Sequence, residues 1–175
     1  MTTKNARLPT DYKLEESTWS NYLRITEDPQ EFRILDHPII GYEYFKVDGD
    51  RSIPVRQKEP FTETPDARED SKPREFRAFP VWNHTIWKVQ IMEITQQSIK
   101  KEILKYVQDE ENRGDPKKYD FRVSRTWKWK ETRYSVTALP KSKFDSESEE
   151  KAAFELAKPI NLQALYSGDD PFKPF

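Results

Sequence analysis

Apolar and polar residues alternate along several stretches of this chain, and a period of two predicts β-strands. Phe121 and Val123, for example, alternate with Arg122 and Ser124. Turn-forming residues separate these stretches, as in Asp48-Gly49-Asp50. The predicted strands are residues 21–26, 31–35, 39–47, 75–82, 86–94, 119–126 and 132–139, of which 75–82 and 86–94 read as a hairpin.

One stretch has the helical period instead. Ile99, Ile103 and Val107 recur every four residues, and Gly114 follows the last of them. Apolar residues at this spacing form one face of a helix, and a glycine is common just after a helix ends. We therefore predict a single core helix over residues 96–112.

The remaining segments are polar. Residues 1–18 predict a loosely held N-terminal arm, and residues 51–74, with four prolines and many acids, predict a long irregular insertion. A short helix is predicted over residues 148–157. Residues 168–175 are too polar to pack a core of their own, so we expect an acidic C-terminal tail that is disordered when unbound.

The order of these elements predicts a mainly β fold with one core helix between strands. An OB-fold barrel has this arrangement, provided that the N-terminal strands count as one bent first strand or an added edge. The predicted organisation is an arm at 1–18, an OB-fold domain at 19–144 and a C-terminal segment at 145–175. On the pattern alone an α+β sandwich fits nearly as well.

Composition excludes several classes of protein. The 175 residues contain no Cys, which rules out disulfides, thiol catalysis and Cys-ligated zinc, and fits a reducing compartment such as the cytoplasm. Only 4 Gly and 2 His leave little material for a phosphate loop or a histidine metal site, so we predict no metal and no cofactor. No apolar stretch approaches the ~20 residues of a membrane span, which predicts no membrane association.

The net charge of −1 conceals opposed blocks. Residues 1–70 carry 10 basic and 15 acidic residues, residues 71–144 carry 17 and 9, and residues 145–175 carry 3 and 7. A basic centre between acidic ends attracts polyanions, although a solvated sheet face is an alternative explanation. Aromatic residues interleave with the cations, and single-stranded nucleic acid needs both a basic groove and stacking faces. The pattern therefore favours single-stranded nucleic acid as a ligand.

The candidate DNA-binding residues are of two kinds, and for each aromatic the alternative is an ordinary core position. The cations are Arg56, Arg77, Lys88, Arg122, Arg125, Lys128, Lys130 and Arg133. The aromatic residues are Tyr44, Phe79, Trp82, Trp87, Trp127, Trp129 and Tyr134.

Four short stretches carry a resemblance to a known family. They are FPVWN at 79–83, KVQIMEIT at 88–95, YDFRVSR at 119–125 and TRYSV at 132–136. In this order and spacing, with the predicted helix between them, they resemble the single-stranded DNA-binding (helix-destabilising) proteins of tailed bacteriophages, which are OB-fold proteins. FRIL at 32–35, GYE at 41–43 and PVR at 54–56 resemble the N-terminal half of the same family, so the resemblance covers roughly residues 22–140. Relatives usually have small residues where this chain has Trp127 and Trp129.

The resemblance implies sequence-independent binding of single-stranded DNA in replication, recombination and repair, in the host cytoplasm if the protein is phage-encoded. It also implies an acidic tail that recruits replication proteins such as a polymerase, helicase or primase. Asp169, Asp170, Phe172 and Phe175 match that tail, and an arbitrary solvated tail is the alternative. Some relatives hold zinc in a Cys-rich module that this chain lacks.

The alternatives to single-stranded DNA binding are an RNA- or peptide-binding module and an enzyme. An RNA- or peptide-binding OB module would share most of these features. An enzyme is not predicted, because His37 and His84 lie in separate predicted turns and no nucleophile is placed beside a base. The sequence leaves the oligomeric state open.

Overall fold

A computed structural model describes residues 21–108 and 115–173 of the chain. Its strands are β1 (Gln30–Ile34), β2 (Ile39–Asp48), β3 (Arg51–Gln57), β4 (Arg74–Asn83), β5 (Lys88–Ile94), β6 (Asp120–Lys128) and β7 (Glu131–Ala138). Its helices are α1 (Gln97–Gln108), α2 (Glu147–Ala157) and the single turn α3 (Ala164–Ser167), with a 3-10 turn at Pro116–Lys118.

All seven strands belong to one antiparallel sheet, in the order β3-β2-β4-β1-β6-β7, with β5 on the other edge of β4. β1 and β2 share one edge of β4, since Ile34 pairs with Val81 and Ile39 pairs with Ala78. Within the described residues, β5 and β7 are not paired, so the sheet does not close into a barrel. The mainly β prediction is confirmed.

The inner face of the sheet holds the main core. Ile99 and Ile103 of α1 are buried against Phe121, Val123 and other apolar side chains of β1 and β4–β7. The helical period in the sequence therefore marked a true core helix. Its predicted end at residue 112 lies outside the described residues.

The C-terminal segment covers the outer face of the same sheet. Leu165 is buried in a cluster with Phe76, Ala78 and Ile91, and Ala153 and Ala157 of α2 form a separate cluster with Leu35. Residues 168–173, which belong to the predicted disordered tail, also lie against this face, with Pro171 buried and Phe172 packed on the Leu165 cluster. The reason is that apolar residues of this segment find an exposed apolar sheet face, which the sequence does not reveal.

Close approach at Gly41 permits this packing. A Cβ atom at this position would lie 2.7 Å from the Gln57 carbonyl oxygen and 2.7 Å from the Tyr166 ring. The Tyr166 hydroxyl donates a hydrogen bond of 2.8 Å to the Ile40 carbonyl. Pro171 is buried, and Phe172 meets Tyr22 edge to face at 6.5 Å.

Two N-terminal predictions are corrected by the pairing. Residues 21–26 form no strand and contribute only an isolated bridge between Tyr22 and Ile91. The insertion at 51–74 is not wholly irregular, because it begins with β3, which forms a hairpin with β2 through Gly49 at φ 61°. Pro54 is tolerated in β3 because β3 is an edge strand.

The two later hairpins agree with the sequence. β4 and β5 pair from Arg77–Ile94 to Asn83–Lys88, and β6 and β7 pair from Phe121–Ala138 to Lys128–Glu131. Among the described residues, no helix is long and apolar enough to cross a membrane.

Candidate nucleic-acid interface

Two hairpin tips emerge from the same end of the sheet. β4 and β6 both pair antiparallel to β1, so they run in the same direction and end on the same side. Phe32 of β1 lies opposite both Asn83 and Phe121, so the two strands are level there. β4 ends at that level, whereas β6 continues seven residues further to Lys128.

The longer tip is residues 125–134, which we call the tryptophan hairpin. β1 pairs with β6 only as far as Val123, so among the residues that the structure describes the two strands of the hairpin pair only with each other beyond Arg125. Every side chain from 125 to 133 is exposed, and Trp127 and Trp129 are 63% and 87% exposed. The tryptophan hairpin thus projects two exposed indoles into solvent.

The turn of the tryptophan hairpin is strained. Trp129 and Lys130 occupy both central positions with φ of 54° and 66°, the left-handed region required by a type I′ turn. Asn and Gly are the residues that suit these positions, and a bulky side chain there costs about 1–2 kcal/mol. Two residues that disfavour the turn therefore occupy it.

The charge of this hairpin is strongly positive. Arg125, Lys128, Lys130 and Arg133 are all exposed, and Glu131 is the single acid among residues 125–134. Only Arg133 pairs with it, at 3.3 Å. Such a concentration of cations on a projecting arm attracts polyanions.

Four side chains of the tryptophan hairpin lie on the same face of its two strands. Residues directly opposite in an antiparallel pair lie on the same face, and Arg125 lies opposite Tyr134 while Trp127 lies opposite Thr132. Tyr134 is half-buried and packs against the inner core. From the tip inward, this face therefore carries the exposed Trp127 indole, the Arg125 cation and the Tyr134 ring at the edge of the core.

The shorter tip is the turn between β4 and β5. Trp87 is 53% exposed, takes φ of 55° and meets the His84 ring edge to face at 6.3 Å. Lys88 follows it as the first residue of β5. The predicted residues Trp87, Lys88, Arg125, Trp127, Lys128, Trp129, Lys130 and Arg133 thus lie at one end of the molecule.

Three predicted stacking residues belong to the core instead. Tyr44 is 2% exposed and donates its hydroxyl to the Pro65 carbonyl at 3.0 Å, and Phe79 is 3% exposed. Trp82 packs beside Phe144 in the cluster that includes Ala153 of α2. These positions are corrected to structural ones, because the sheet is covered on both faces.

Three predicted cations are engaged in ion pairs. Arg56 bridges Glu43 and Glu93 at 3.1 and 2.8 Å and lies over the Phe76 ring. Arg77 bonds Glu75 at 3.0 Å, at the opposite end of β4 from the two tips. Arg122 bonds Glu31 at 2.7 Å across β6 and β1. Arg122 remains 48% exposed, whereas the Arg56 and Arg77 side chains are 12% and 26% exposed.

Burial affects the Glu93 carboxylate of the Arg56 bridge. Burial raises the pKa of Glu93, and the Arg56 guanidinium only partly opposes that effect. Burial therefore disfavours the ionised form of Glu93, and Arg56 is the counter-ion of that carboxylate.

The structure contains a buried ionic network that the sequence does not reveal. Arg33 and Asp120 are both fully buried, and Asp120 also accepts hydrogen bonds from His84 Nε2 at 2.9 Å and the Lys143 backbone N–H at 2.7 Å. Burial would raise the pKa of Asp120, but the bonds from His84 and Arg33 outweigh it and hold that pKa below its usual range. His84, which lay in a predicted turn, is thereby a structural residue.

The tail residues lie on the other side of the molecule from the inner core. Asp169 and Asp170 are exposed, and Phe172 is half-buried against the outer face of the sheet. Phe175 lies outside the described residues. No group of three His, Cys, Asp or Glu in the described ranges is placed to hold a metal ion.

Comparisons of the chain with protein-family models, with curated proteins and with solved structures found no match. The site is therefore interpreted from its own geometry and charge.

Proposed function

We propose that this protein binds single-stranded DNA without sequence preference, through the tryptophan hairpin and the neighbouring β4–β5 turn. The observation that carries the proposal is the pair of indoles Trp127 and Trp129, exposed among four cations on an arm that no other strand of residues 21–108 or 115–173 pairs with beyond Arg125. Exposed aromatic faces beside cations are what a single strand requires, since bases stack on rings and phosphates pair with Lys and Arg.

The strained turn supports a role in binding. A structural hairpin would be more stable with Asn-Gly at its two central positions, where this chain has Trp129 and Lys130. Strain that the fold does not need is a common feature of functional sites. Here it places an indole and an ammonium group at the outermost point of the arm.

The strand order supports an OB-type domain as the framework. β1 and β2 act as one bent first strand that pairs with β4, the next strand β5 precedes α1, and β6 and β7 follow the helix. An OB-fold is a five-stranded, partly open barrel that binds oligonucleotides with its second and third strands and with the loops that join strands one to two and four to five. In this chain the tryptophan hairpin corresponds to the loop between strands four and five.

The location of the site differs from the usual one on such a framework. The outer faces of β4 and β5, which correspond to strands two and three, are occupied by the C-terminal segment through Leu165 and its cluster. We therefore assign the main contact to the hairpin tips rather than to that sheet face.

The tail supports a second part of the proposal, the recruitment of replication proteins. Asp169 and Asp170 remain exposed next to the half-buried Phe172. Carboxylates next to an aromatic ring suit a basic, apolar pocket of a partner. Replication, recombination and repair are the processes in which such a binding and recruiting protein acts.

The test is quenching of Trp fluorescence by oligo-dT, oligo-rU and duplex DNA, with each binding curve repeated over a range of salt concentrations. We expect oligo-dT to bind most tightly, with a log-log salt slope of about −0.7 per phosphate contacted. A slope near zero, or no quenching by any of the three, would refute the proposal. Tightest binding of oligo-rU would favour the alternative, an RNA-binding module.

Variants connect the binding to the hairpin. Trp127→Ala with Trp129→Ala should lose about 1–3 kcal/mol of binding free energy per indole. Leu156→Ala on α2 is the matched control, because this side chain is also large, apolar and 59% exposed. Equal affinities of the two variants would contradict the assignment of the site.

A further inference from the structure

A groove continues the proposed site along the open side of the sheet. It has a volume of about 570 Å³ and lies between α1 and β7, where the sheet fails to close. Lys101, Glu102 and Lys105 line it from the helix, and Tyr134 and Val136 line it from the strand. We call it the α1–β7 groove.

The edge of β7 supplies backbone donors to this groove. Ala138 donates its N–H to the Tyr106 hydroxyl of α1 at 3.3 Å, so its amide points away from β6. Amides alternate between the two sides of a strand, so those of Val136 and Tyr134 also point away from β6, toward the groove. Backbone N–H groups are frequent donors to phosphate oxygens.

The helix supplies the charge. Lys101 and Lys105 are four residues apart, so they lie one above the other on the same side of α1, and both are exposed. The Glu102 carboxylate accepts a bond from Lys105 at 2.6 Å and thereby raises the pKa of that ammonium group. Two cations and a line of N–H donors thus face each other across the groove, with one carboxylate among them.

The groove is continuous with the tryptophan hairpin. Tyr134 belongs to both, since its ring lines the groove and it lies opposite Arg125, two residues from Trp127. The distance from Glu131, next to the turn, to Val136 along β7 is about 17 Å at 3.3–3.4 Å per residue. A ligand that binds at the hairpin can therefore extend into the groove without leaving the strand.

From this arrangement we infer that the α1–β7 groove is a second contact site for the same strand of DNA, in which Lys101 and Lys105 neutralise phosphates and Tyr134 stacks with a base. This inference rests on the proposed function. An acidic extended peptide could also pair with the edge of β7, but continuity with the exposed indoles favours nucleic acid. The groove lengthens the binding site from the tip of the hairpin to the core of the domain.

The experiment compares salt slopes on a long oligo-dT. Lys101→Gln with Lys105→Gln should reduce the magnitude of the slope by about 1.4, or 0.7 for each lost phosphate contact. The matched control is Lys151→Gln on α2 with Lys158→Gln at the C-cap of α2. Lys158 is 67% exposed and bonds Glu155 three residues away, as Lys105 is 68% exposed and bonds Glu102. The control should leave the slope unchanged.

Two further measurements test the inference. With an oligonucleotide that is too short to reach from the tryptophan hairpin into the α1–β7 groove, the Lys101 and Lys105 changes should have no effect on the salt slope. Glu102→Gln removes the carboxylate from the groove and should tighten binding of the long oligonucleotide, a gain that a purely structural role does not produce.

The outcomes separate this inference from the proposed function. A normal slope in the Lys101 and Lys105 variant, together with weakened binding in the Trp127 and Trp129 variant, would overturn the groove alone. The absence of DNA binding by the unaltered protein would overturn both. If a poly-glutamate peptide binds the protein and only that binding is lost with the lysines, the groove is a peptide site and the inference is wrong.

Discussion

Arg33 and Asp120 form a two-bond ion pair in the interior of this protein. Arg33 Nε donates to Asp120 Oδ1 at 2.8 Å and Nη2 donates to Oδ2 at 3.3 Å, with side-chain exposures of 1% and 0%. Nη1 of the same guanidinium donates to Glu150 of α2 at 2.6 Å and to the Lys117 carbonyl at 3.2 Å. One buried cation therefore ties β1 to β6, to the 3-10 turn and to the helix that covers the outer face.

Asp120→Asn should destabilise the protein strongly. The change removes the fully buried one of the two counter-ions of Arg33, and breaking a buried pair in this way costs about 3–5 kcal/mol. Urea unfolding would measure the loss. Glu31→Gln is the control, because it removes the carboxylate that pairs with the exposed Arg122 and Lys143. This change should lower the unfolding free energy by about 1 kcal/mol or less. Similar losses in both variants would refute a special role for the buried pair.

The stability of the protein should fall at acid pH, and Asp120 should be a principal cause. The pKa of Asp120 is lower in the folded protein than in the unfolded chain, where an Asp titrates near 3.9. Its contribution is therefore complete above that value and is lost as the pH falls through the lower, folded pKa. Unfolding free energies measured between pH 7 and pH 2 would show the decline.

Glu93 should act with the opposite sign. Because burial raises its pKa, the folded protein takes up this proton more readily than the unfolded chain does, and stability gains as the pH falls through the raised pKa. Glu93→Gln removes that gain, so its stability should decline more steeply from neutral to acid pH. An unchanged profile would mean that Glu93 does not titrate differently on folding.

Trp129→Gly should separate binding from folding. Glycine relieves the left-handed backbone at this position, so the unfolding free energy should stay the same or rise by about 1 kcal/mol. Affinity for oligo-dT should nevertheless fall, because a stacking face is removed. Urea unfolding and fluorescence titration on the same sample give both values. Loss of stability without loss of binding would show that the indole serves the fold.

Gly41→Ala should loosen the C-terminal segment. The added methyl group would lie 2.7 Å from a backbone carbonyl and from the Tyr166 ring, and the carbonyl belongs to a paired strand that cannot move far. Amide hydrogen exchange of residues 160–172 should therefore accelerate. Tyr166→Phe is the control, since it removes only the hydroxyl bond to Ile40 and keeps the ring in place. Unaltered exchange in the glycine variant would show that the segment adapts without detaching.

Deletion of residues 168–175 should tighten DNA binding at low salt. The deletion removes Asp169 and Asp170, whose negative charges lower the attraction of the protein for phosphates, and the effect should shrink as salt screens it. Titration with oligo-dT at two salt concentrations tests this. Unchanged affinity at low salt would restrict the tail to the recruitment of partners.

The alternation of residues predicted most of the strands, and the spacing of Ile99 and Ile103 predicted the core helix. Those patterns are local, since each depends on which side chains of one segment must face the interior. The hairpin with the exposed indoles was also predictable, because its cations and aromatics are adjacent in the chain. β3 was missed because Pro54 and the charged Arg51 and Arg56 conceal a strand that is paired with its neighbour β2.

The sequence by itself determined the mainly β architecture, the position of the core helix and the aromatic, basic character of residues 125–134. Only the tertiary structure decided that Tyr44 and Phe79 are buried, that Trp82 packs against α2, that the C-terminal segment covers the outer face and that Arg33 meets Asp120 87 residues away. The physical reason is that burial and ion pairing depend on contacts between distant segments. A sequence shows which side chains can stack or carry charge, and the packing of the sheet on both faces decides which of them remain free to do so.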